Sequence, residues 1–269
     1  MIWVNGDIAT HLPVMDRGLL YGDGVWETIG VEQGKPQLFD WHLQRLIAGL
    51  QALNIRFPDL EALRSEIFNV CLAQERAVLK LIVTRGTGQR GYNSQTTAEP
   101  TRILQLSAWA NYPVSYAEQG IRLTLCETRL AHQPRLAGFK HLNRLEQVLA
   151  RAEFSSDYQE GLVRDYCGNV IEGTMSNLFV VCADGSVCTP DLTHCGIAGV
   201  MRRYIIQTLE KFGYQCHIHA LTLQDIAQAH ALFMTNSLIG LWPVREFSGK
   251  QYTIPPLLRD LQAAIHTLA

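Results

Sequence analysis

Tight turns between short apolar segments recur along this chain, and they restrict its fold more than any other feature. Asn5 and Gly6, the run 33–36 and the run 167–169 each lie between segments rich in β-branched and other apolar residues. Such turns are typical of hairpins between antiparallel strands, whereas a parallel sheet needs long crossovers. Helical patterns occur among the hairpins without strict strand–helix alternation. We therefore expect an α+β fold built on mixed sheets.

The length of the chain and one break in its pattern predict two domains. The chain has 269 residues, whereas a domain has about 150 residues. The segment 110–119 interrupts the pattern, so we expect a smaller domain at 1–113 and a larger one at 114–269. In the smaller domain, Asp40 is expected to cap a helix over 41–54. Later helices are expected near 142–155, 199–212, 222–229 and 255–267.

Charge and composition exclude several classes of protein. The 23 Lys and Arg residues against 25 Asp and Glu give a net charge of −2, which does not attract nucleic acid or an anionic membrane. Polar residues interrupt the amino terminus, where a signal peptide needs an apolar stretch. The uncharged window 226–244 contains Asn236 and Pro243, so we expect two buried segments around a polar loop and no membrane span. The seven cysteines include no CxxC pair and predict free thiols in a reducing cytoplasm.

Two short motifs lack the context that their usual functions need. His217 and His219 share one side of a predicted strand, but no third ligand has a recognisable spacing, so no metal site is expected. The run 86–91 matches the dinucleotide pattern G-x-G-x-x-G, yet a loop and Pro100 follow it where a helix is required. Either this loop carries Arg90 to a substrate carboxylate, or it is a plain hairpin loop.

Two segments carry an amine and a carboxylate in unusual surroundings. Lys140 lies beside apolar Phe139 and Leu142, just before a predicted helix. It is either a desolvated, nucleophilic amine or a surface lysine with a buried stem. Glu172 precedes small and polar residues that end at Asn177. The alternative here is that the carboxylate ends a strand and the amide caps a turn.

A third segment, at 194–203, suggests an anion site. Gly196 and Gly199 bound a turn that opens a helix, so backbone N–H groups point at whatever lies before it. A helix start without a ligand is the alternative. An amine, a carboxylate and an anion cradle together suit pyridoxal 5′-phosphate, whose aldehyde, ring nitrogen and phosphate would meet the three groups in turn. Arg45 on the first long helix could add positive charge.

With these residues and the runs around them, the chain resembles the fold-type IV pyridoxal-phosphate enzymes. That family includes D-amino-acid aminotransferases, branched-chain aminotransferases and aminodeoxychorismate lyases. The resemblance covers nearly the whole chain, and it implies a two-domain, D-amino-acid aminotransferase-like architecture with the cofactor at the domain interface. It also implies a homodimer. The runs that carry it are 21–28, 42–46, 140–151, 172–179 and 196–202.

The resemblance implies roles for individual residues. Lys140 would form the imine with the cofactor, and Glu172 would meet the pyridine nitrogen. The phosphate would be held by Arg45, Ile197, Ala198, Thr235 and Asn236. The candidates for contacting the substrate are Tyr21, Trp26, Arg90 and Tyr92. Tyr21 and the 86–92 loop are also candidates for crossing from the second subunit.

Within the family, the runs 140–151 and 85–92 are most similar to aminodeoxychorismate lyases, which make 4-aminobenzoate and pyruvate on the way to folate. D-Amino-acid aminotransferases have a tyrosine where Trp26 stands. Branched-chain aminotransferases have a tyrosine shortly after the lysine, and the six residues after Lys140 include none. In such a lyase Lys140 moves the proton and Thr28 assists its delivery, unless Thr28 is an ordinary β-branched strand residue. The alternative functions are an aminotransferase of this fold and, more remotely, a cofactor-free binding protein.

Overall fold

The chain forms two compact units. The computed structural model describes residues 1–56, 59–94 and 99–268. The first unit contains Met1–Ala110 and Phe139–Asn143, and the second contains Asn111–Gly138 and Arg144–Leu268. The first boundary is close to the predicted one, but the segment with Lys140 groups with the first unit, whereas the sequence analysis assigned it to the larger carboxy-terminal domain.

The first unit is built on a six-stranded antiparallel sheet. Its strands are β1 (Ile2–Val4), β2 (Asp7–Ile8), β3 (Gly24–Glu32), β4 (Lys35–Pro36), β5 (Arg76–Thr84) and β6 (Thr101–Ser107). Its helices are α1 (Arg17–Tyr21), α2 (Phe39–Ala52) and α3 (Leu60–Cys71). The strand order is β2-β1-β6-β5-β3-β4. The predicted hairpin at 33–36 is confirmed, because it joins β3 to β4.

The predicted cap of helix α2 is wrong. The helix begins at Phe39, and its N-cap is Leu38, which has a φ of 49° and makes no side-chain cap hydrogen bond. Asp40 therefore already lies inside the first turn, where its carboxylate accepts a hydrogen bond of 2.7 Å from Arg64 Nη2 on α3. Asp40 resembles an N-cap in the sequence, but it is an acidic residue of the first turn, a position that the helix dipole also favours for a negative charge.

The second unit is built on a nine-stranded sheet in which strand directions are mixed. Its strands are β7 (Ile121–Leu130), β8 (Glu160–Asp165), β9 (Val170–Gly173), β10 (Asn177–Val181), β11 (Val187–Pro190), β12 (Cys216–His219), β13 (Ala231–Asn236), β14 (Gly240–Phe247) and β15 (Lys250–Gln251). The strand order is β12-β11-β10-β13-β14-β7-β8-β9, and β15 pairs with β14. Strand β7 runs parallel to both β8 and β14, and β11 runs parallel to β12. The expected α+β class with mixed sheets is confirmed.

Helices border this second sheet. They are α4 (Ser115–Glu118), α5 (Leu145–Ala152), α6 (Val200–Lys211), α7 (Leu223–Gln228) and α8 (Pro256–His266). The core lies at β10 and β13, where Phe179 and Phe233 pair in register and their rings stack 4.8 Å apart. Among the described residues, none of the helices combines the length and the apolar composition needed to cross a bilayer.

Candidate active site

In the first unit, Lys140 lies against Trp26 of strand β3. The Lys140 Nζ atom is 3.9 Å from the centroid of the Trp26 ring. The backbone fixes this arrangement, because Trp26 N donates to Lys140 O at 2.9 Å and Trp26 Nε1 donates to His141 O at 3.2 Å. Leu142 N also donates to Gly24 O. The segment after Gly138 thus runs beside β3 and forms an isolated antiparallel bridge from His141 to Val25, which explains why it groups with the first unit.

Thr28 follows Trp26 by two positions on β3. Residues two apart on a strand point to the same face, so Thr28 and Trp26 share the face on which Lys140 lies. Thr28 pairs in register with Lys80 of β5, whose Nζ is 4.8 Å from the Trp26 ring centroid. The structure therefore places Lys140, Trp26 and Thr28 on one side of the sheet, and it adds a second lysine that the sequence analysis missed.

The opposite face of β3 carries a buried carboxylate that the sequence analysis also missed. Glu27 is only 1% exposed. Arg45 Nε and Nη2 donate to its two oxygens at 2.8 and 2.5 Å, and His42 Nδ1 lies 2.6 Å from Oε2. Both partners are on α2. Arg45, expected to hold a phosphate, thus has two of its donor atoms on Glu27.

These contacts shift the pKa values of the buried groups. Burial acts to raise the pKa of Glu27, but the charge and hydrogen bonds of Arg45, helped by His42, lower it from 4.5 to about 2. Burial lowers the pKa of His42, which outweighs the opposite effect of Glu27. At neutral pH His42 is therefore uncharged and donates its Nδ1 proton to an ionised Glu27.

Glu27 should make the first unit acid-sensitive. Its folded-state pKa lies below its ordinary value, so its stabilisation is complete above pH 4.5 and is lost as pH falls towards 2. A shift of this size corresponds to about 3 kcal/mol. We expect Glu27→Gln to remove that pH dependence and to lower the free energy of unfolding at pH 7 by about 3 kcal/mol, since it breaks a buried ion pair.

Denaturant unfolding between pH 7 and pH 2.5 measures this effect. Glu32→Gln on the same strand is the matched control. The Glu32 carboxylate lies 3.7 Å from Nε of the exposed Arg76, and ion pairs at exposed positions contribute little to stability. If Glu27→Gln kept the wild-type acid dependence, the assignment of that dependence to Glu27 would be wrong.

The 86–92 loop is tied to the first helix. Arg17 Nη1 donates to Gly91 O at 2.8 Å, and Gly91 N donates to the Tyr21 hydroxyl at 3.2 Å. The Tyr21 and Tyr92 rings pack edge to face, 5.4 Å apart. Three of the predicted substrate residues, Tyr21, Arg90 and Tyr92, are thus brought to one region, and Tyr92 is 86% exposed there.

Arg85, at the start of this loop, has a different role. Its guanidinium donates to both carboxylate oxygens of Asp23, at 2.7 and 3.0 Å, and to the carbonyl oxygens of Leu53 and Asn54. It is therefore engaged inside the first unit, and Arg90 is the arginine of this loop that is exposed.

In the second unit, the segments predicted around Glu172, Ile197 and Thr235 come together. Glu172 is 3% exposed, and its Oε2 accepts a hydrogen bond of 2.8 Å from Ile197 N. Asn177 Nδ2 donates to Ile197 O at 2.8 Å, and Asn177 pairs in register with Thr235 across β10 and β13. The buried carboxylate therefore lies beside the turn that opens α6.

That turn excludes side chains at two positions, by close contact at Gly199 and by backbone conformation at Gly196. A Cβ on Gly199 would lie 2.1 Å from Asn177 Oδ1, and Gly196 has a φ of 87°, which L side chains rarely adopt. Gly199 is the N-cap of α6 and makes no side-chain cap hydrogen bond. The predicted donors Ile197 N and Ala198 N already have partners, Glu172 Oε2 and Gly138 O. An anion at this helix start would therefore meet the N–H groups of the first turn of α6.

Thr235 and Asn236 stabilise their own turn. The Thr235 hydroxyl donates to Gly240 O at 2.5 Å, and Asn236 Oδ1 accepts from Leu238 N and Ile239 N. Asn236 Nδ2 donates to Met175 O at 3.1 Å, which links this turn to the one that follows Glu172. The structure thus shows both side chains as parts of the loop framework.

A further buried acid, Glu160, holds the turn after Glu172. Its oxygens accept hydrogen bonds from the backbone N–H groups of Thr174 and Met175 and from the hydroxyl groups of Thr174 and Ser176. The sequence did not predict this role of Glu160, whose local signal was an acidic residue at the start of an apolar strand. It organises the loop between β9 and β10.

Comparison with known proteins shows the family of this chain. The family model for class IV amino-transferases matches residues 24–247. The aminodeoxychorismate lyase of Vibrio harveyi is 38% identical over 99% of this chain and 100% of its own length. A putative branched-chain-amino-acid aminotransferase of Methanocaldococcus jannaschii is 31% identical over 93% of this chain and 88% of its own. The crystal structure of the 4-amino-4-deoxychorismate lyase of Pseudomonas aeruginosa superimposes with a TM-score of 0.95 at 45% identity, covering 99% of this chain and 98% of that one.

The chain therefore belongs to the class IV aminotransferase family, the fold-type IV group that its sequence motifs indicate. This membership confirms the expected pyridoxal 5′-phosphate cofactor. The residues present fit that group: an amine at Lys140, a carboxylate at Glu172 that is nearly fully buried, and a glycine-lined turn at a helix start where a Cβ would clash.

Proposed function

We propose that this chain is an aminodeoxychorismate lyase, which converts 4-amino-4-deoxychorismate to 4-aminobenzoate and pyruvate in folate biosynthesis. The observation that carries the proposal is full-length similarity to two lyases, at 38% and 45% identity. Trp26 supports it, since this position lacks the tyrosine hydroxyl expected of D-amino-acid aminotransferases.

Residues of the runs that carry the family resemblance would hold the cofactor. Lys140 would bind it covalently, and Glu172 would meet its ring nitrogen. The phosphate would be held by N–H groups of the first turn of α6, next to the 197–198 turn, with the 235–236 loop and Arg45 as the other predicted contacts. When bound, the cofactor withdraws electrons from the substrate carbon that bears the amino group.

The residues then have distinct tasks. The buried charge of Glu172 favours a protonated ring nitrogen by a charge-assisted hydrogen bond. Lys140 Nζ, when uncharged, takes the proton from the substrate ring carbon that bears nitrogen. Thr28, on the same face of the sheet, assists delivery of a proton to the methylene carbon of the enolpyruvyl group, which leaves as pyruvate. Because the ring becomes aromatic, these residues mainly position the substrate and transfer protons.

Purified protein, assayed with two substrate sets in parallel, tests the proposal. We expect 4-aminobenzoate and pyruvate to form from 4-amino-4-deoxychorismate, with little amino transfer from D-alanine to 2-oxoglutarate. Amino transfer without lyase activity would overturn the proposal and identify the chain as an aminotransferase, a function that other members of the family have. A chain that holds no cofactor would identify a binding protein.

Arg90 is proposed to bind a substrate carboxylate. The substrate is a dianion, and Arg90 is exposed in a loop whose neighbour Gly91 has open space around it. We expect Arg90→Lys to raise KM by roughly 10- to 150-fold with a smaller effect on kcat, because lysine keeps the charge but loses the bidentate geometry. Steady-state kinetics of Arg90→Lys and Arg90→Ala measure this.

Arg64→Lys is the control for Arg90, since its guanidinium already pairs with Asp40. Unchanged kinetics in both Arg90 variants would remove the loop from the substrate site. Arg85 would not replace it, because its donors are held by Asp23 and by backbone carbonyl oxygens. A residue from a second subunit would then become the candidate.

We further propose that the enzyme works as a cytoplasmic homodimer. All seven cysteines are free thiols, which fits a reducing compartment. Helix α5 presents Leu145, Val148 and Leu149 to solvent, at 76%, 60% and 60% exposure. Positions i, i+3 and i+4 form one helix face, and an apolar face of this kind is typical of a subunit interface. A second copy of the chain is the partner that the family resemblance implies.

A charge on this face should disrupt the dimer. We expect Leu149→Asp to shift the sedimentation coefficient from dimer to monomer, because burying an unpaired carboxylate in the interface is costly. Leu72→Asp is the control, as Leu72 is 78% exposed at the end of α3. A wild-type chain that sediments as a monomer, or a Leu149→Asp variant that stays dimeric, would argue against α5 as the interface.

A further inference from the structure

Three potential metal ligands meet where strands β7 and β8 of the second unit end. These two strands run parallel, and Leu130 pairs in register with Asp165, the last residue of β8. His132 lies two residues beyond Leu130, and Cys167 lies two residues beyond Asp165, in the turn that leads to β9. The parallel register therefore brings together side chains from separate parts of the sequence.

The donor atoms of these residues are close to one another. One nitrogen of His132, one carboxylate oxygen of Asp165 and Cys167 Sγ all lie within 4.8 Å of each other. His132 Nε2 and Asp165 Oδ2 are 2.8 Å apart. Asp165 is 3% exposed, whereas His132 and Cys167 are exposed, so the cluster is open to solvent on one side.

The surroundings hold two of the ligands in place. Asn169 donates to Asp165 through its backbone N at 2.8 Å and through Nδ2 at 2.9 Å, so the carboxylate cannot rotate freely. The His132 ring stacks on the ring of His194, with centroids 5.2 Å apart. Gln133 N, next to His132, donates to His194 O at 2.8 Å. Fixed ligands of this kind reduce the conformational entropy lost on binding an ion.

We propose that His132, Asp165 and Cys167 form a binding site for a borderline divalent cation such as Zn²⁺, with solvent as the fourth ligand. Imidazole, carboxylate and thiolate are the three side-chain ligands that zinc takes. Zinc–ligand bonds of about 2.0–2.3 Å imply ligand separations of roughly 3.3–3.7 Å in a tetrahedron. The three donor atoms already lie within 4.8 Å of one another, so rotations of the exposed His132 and Cys167 side chains can bring them to that spacing.

Binding requires a defined movement of protons. The Cys167 thiol loses its proton to solvent, since the thiolate is the ligand. His132 must present an unprotonated Nε2 to the ion, so the neutral ring carries its proton on Nδ1 when the ion is bound. The bound ion then takes the place of the His132–Asp165 hydrogen bond and links the end of β7 to the β8–β9 turn. None of the three residues is assigned to the cofactor or the substrate, so the site is separate from the proposed activity.

Zinc titration of the holoenzyme, freed of metal by dialysis against a chelator, tests the site. We expect calorimetry to show one zinc ion per chain, and we expect zinc to raise Tm, as a ligand that binds only the folded state does. Cys167→Ser and His132→Gln should each weaken zinc binding by about tenfold or more. Loss of a residue that only supports a metal ligand already has an effect of this size, and these two residues are ligands themselves. Both residues are exposed, so both variants are expected to fold, and their melting without metal checks this.

Cobalt(II) identifies the sulfur ligand directly. In the difference spectrum of wild type minus Cys167→Ser, the cofactor absorbance cancels and a thiolate-to-cobalt charge-transfer band should remain. Cys216→Ser is the control, because Cys216 is a partly exposed cysteine of the same unit outside the cluster, and it should bind zinc and cobalt like wild type. Absence of a one-to-one site in wild type, or equal binding in Cys167→Ser and His132→Gln, would overturn the proposal.

Discussion

Lys140→Ala is expected to lower lyase activity by about 10⁴-fold or more. Alanine removes both the covalent hold on the cofactor and the base that takes the substrate proton. We also expect loss of the cofactor attachment that borohydride traps, read by mass spectrometry of the peptide that contains residue 140. Fold should survive, since the contacts that fix this segment to β3 are made by its backbone.

Lys80 supplies a matched control for this experiment. Both amines lie over the Trp26 ring, Lys140 Nζ at 3.9 Å and Lys80 Nζ at 4.8 Å from its centroid. Because the covalent role is assigned to Lys140, Lys80→Ala should keep borohydride-trapped cofactor at residue 140. Trapping that disappears in Lys80→Ala and persists in Lys140→Ala would transfer the covalent role to Lys80.

Glu172→Gln is expected to reduce kcat by about 10²- to 10³-fold, with a smaller loss of cofactor affinity. A neutral amide does not stabilise a protonated ring nitrogen as a carboxylate does, and buried electrostatic contacts have effects of this size on turnover. The local fold should persist, because the glutamine oxygen can still accept the hydrogen bond that Ile197 N gives to Glu172 Oε2. Cofactor titration and steady-state kinetics separate the two effects.

Glu246→Gln is the control in the same unit, since Glu246 pairs with Arg122 at a partly exposed position. It should leave both kcat and cofactor affinity near wild type. Full turnover in Glu172→Gln would show that this carboxylate does not support the ring nitrogen, while loss of cofactor alone would show a purely binding role.

Local sequence patterns predicted most of the elements, because hairpin turns and helical periodicity depend on residues close in the chain. The helix expected near 199–212 is α6, and the hairpin expected at 167–169 joins β8 to β9. The cap at Asp40 was wrong for a similarly local reason, since an acidic residue has the same sequence signature at the N-cap and in the first helical turn. Periodicity did not predict α1, which has only five residues.

The sequence by itself determined the family, the α+β class and the cofactor, because each depends on residue types in short, specific runs. Only the tertiary structure decided which partners these residues have. Arg45 and Glu27 are 18 residues apart, and His132 and Asp165 are 33 apart, yet each pair forms a hydrogen bond across separate elements. Strand register and helix packing set these distances, and burial then sets which charges must be paired. No local pattern in a single sequence reports strand register or burial. The contacts of Glu27 with Arg45 and His42, and the proposed cation site, are therefore visible only in the folded chain.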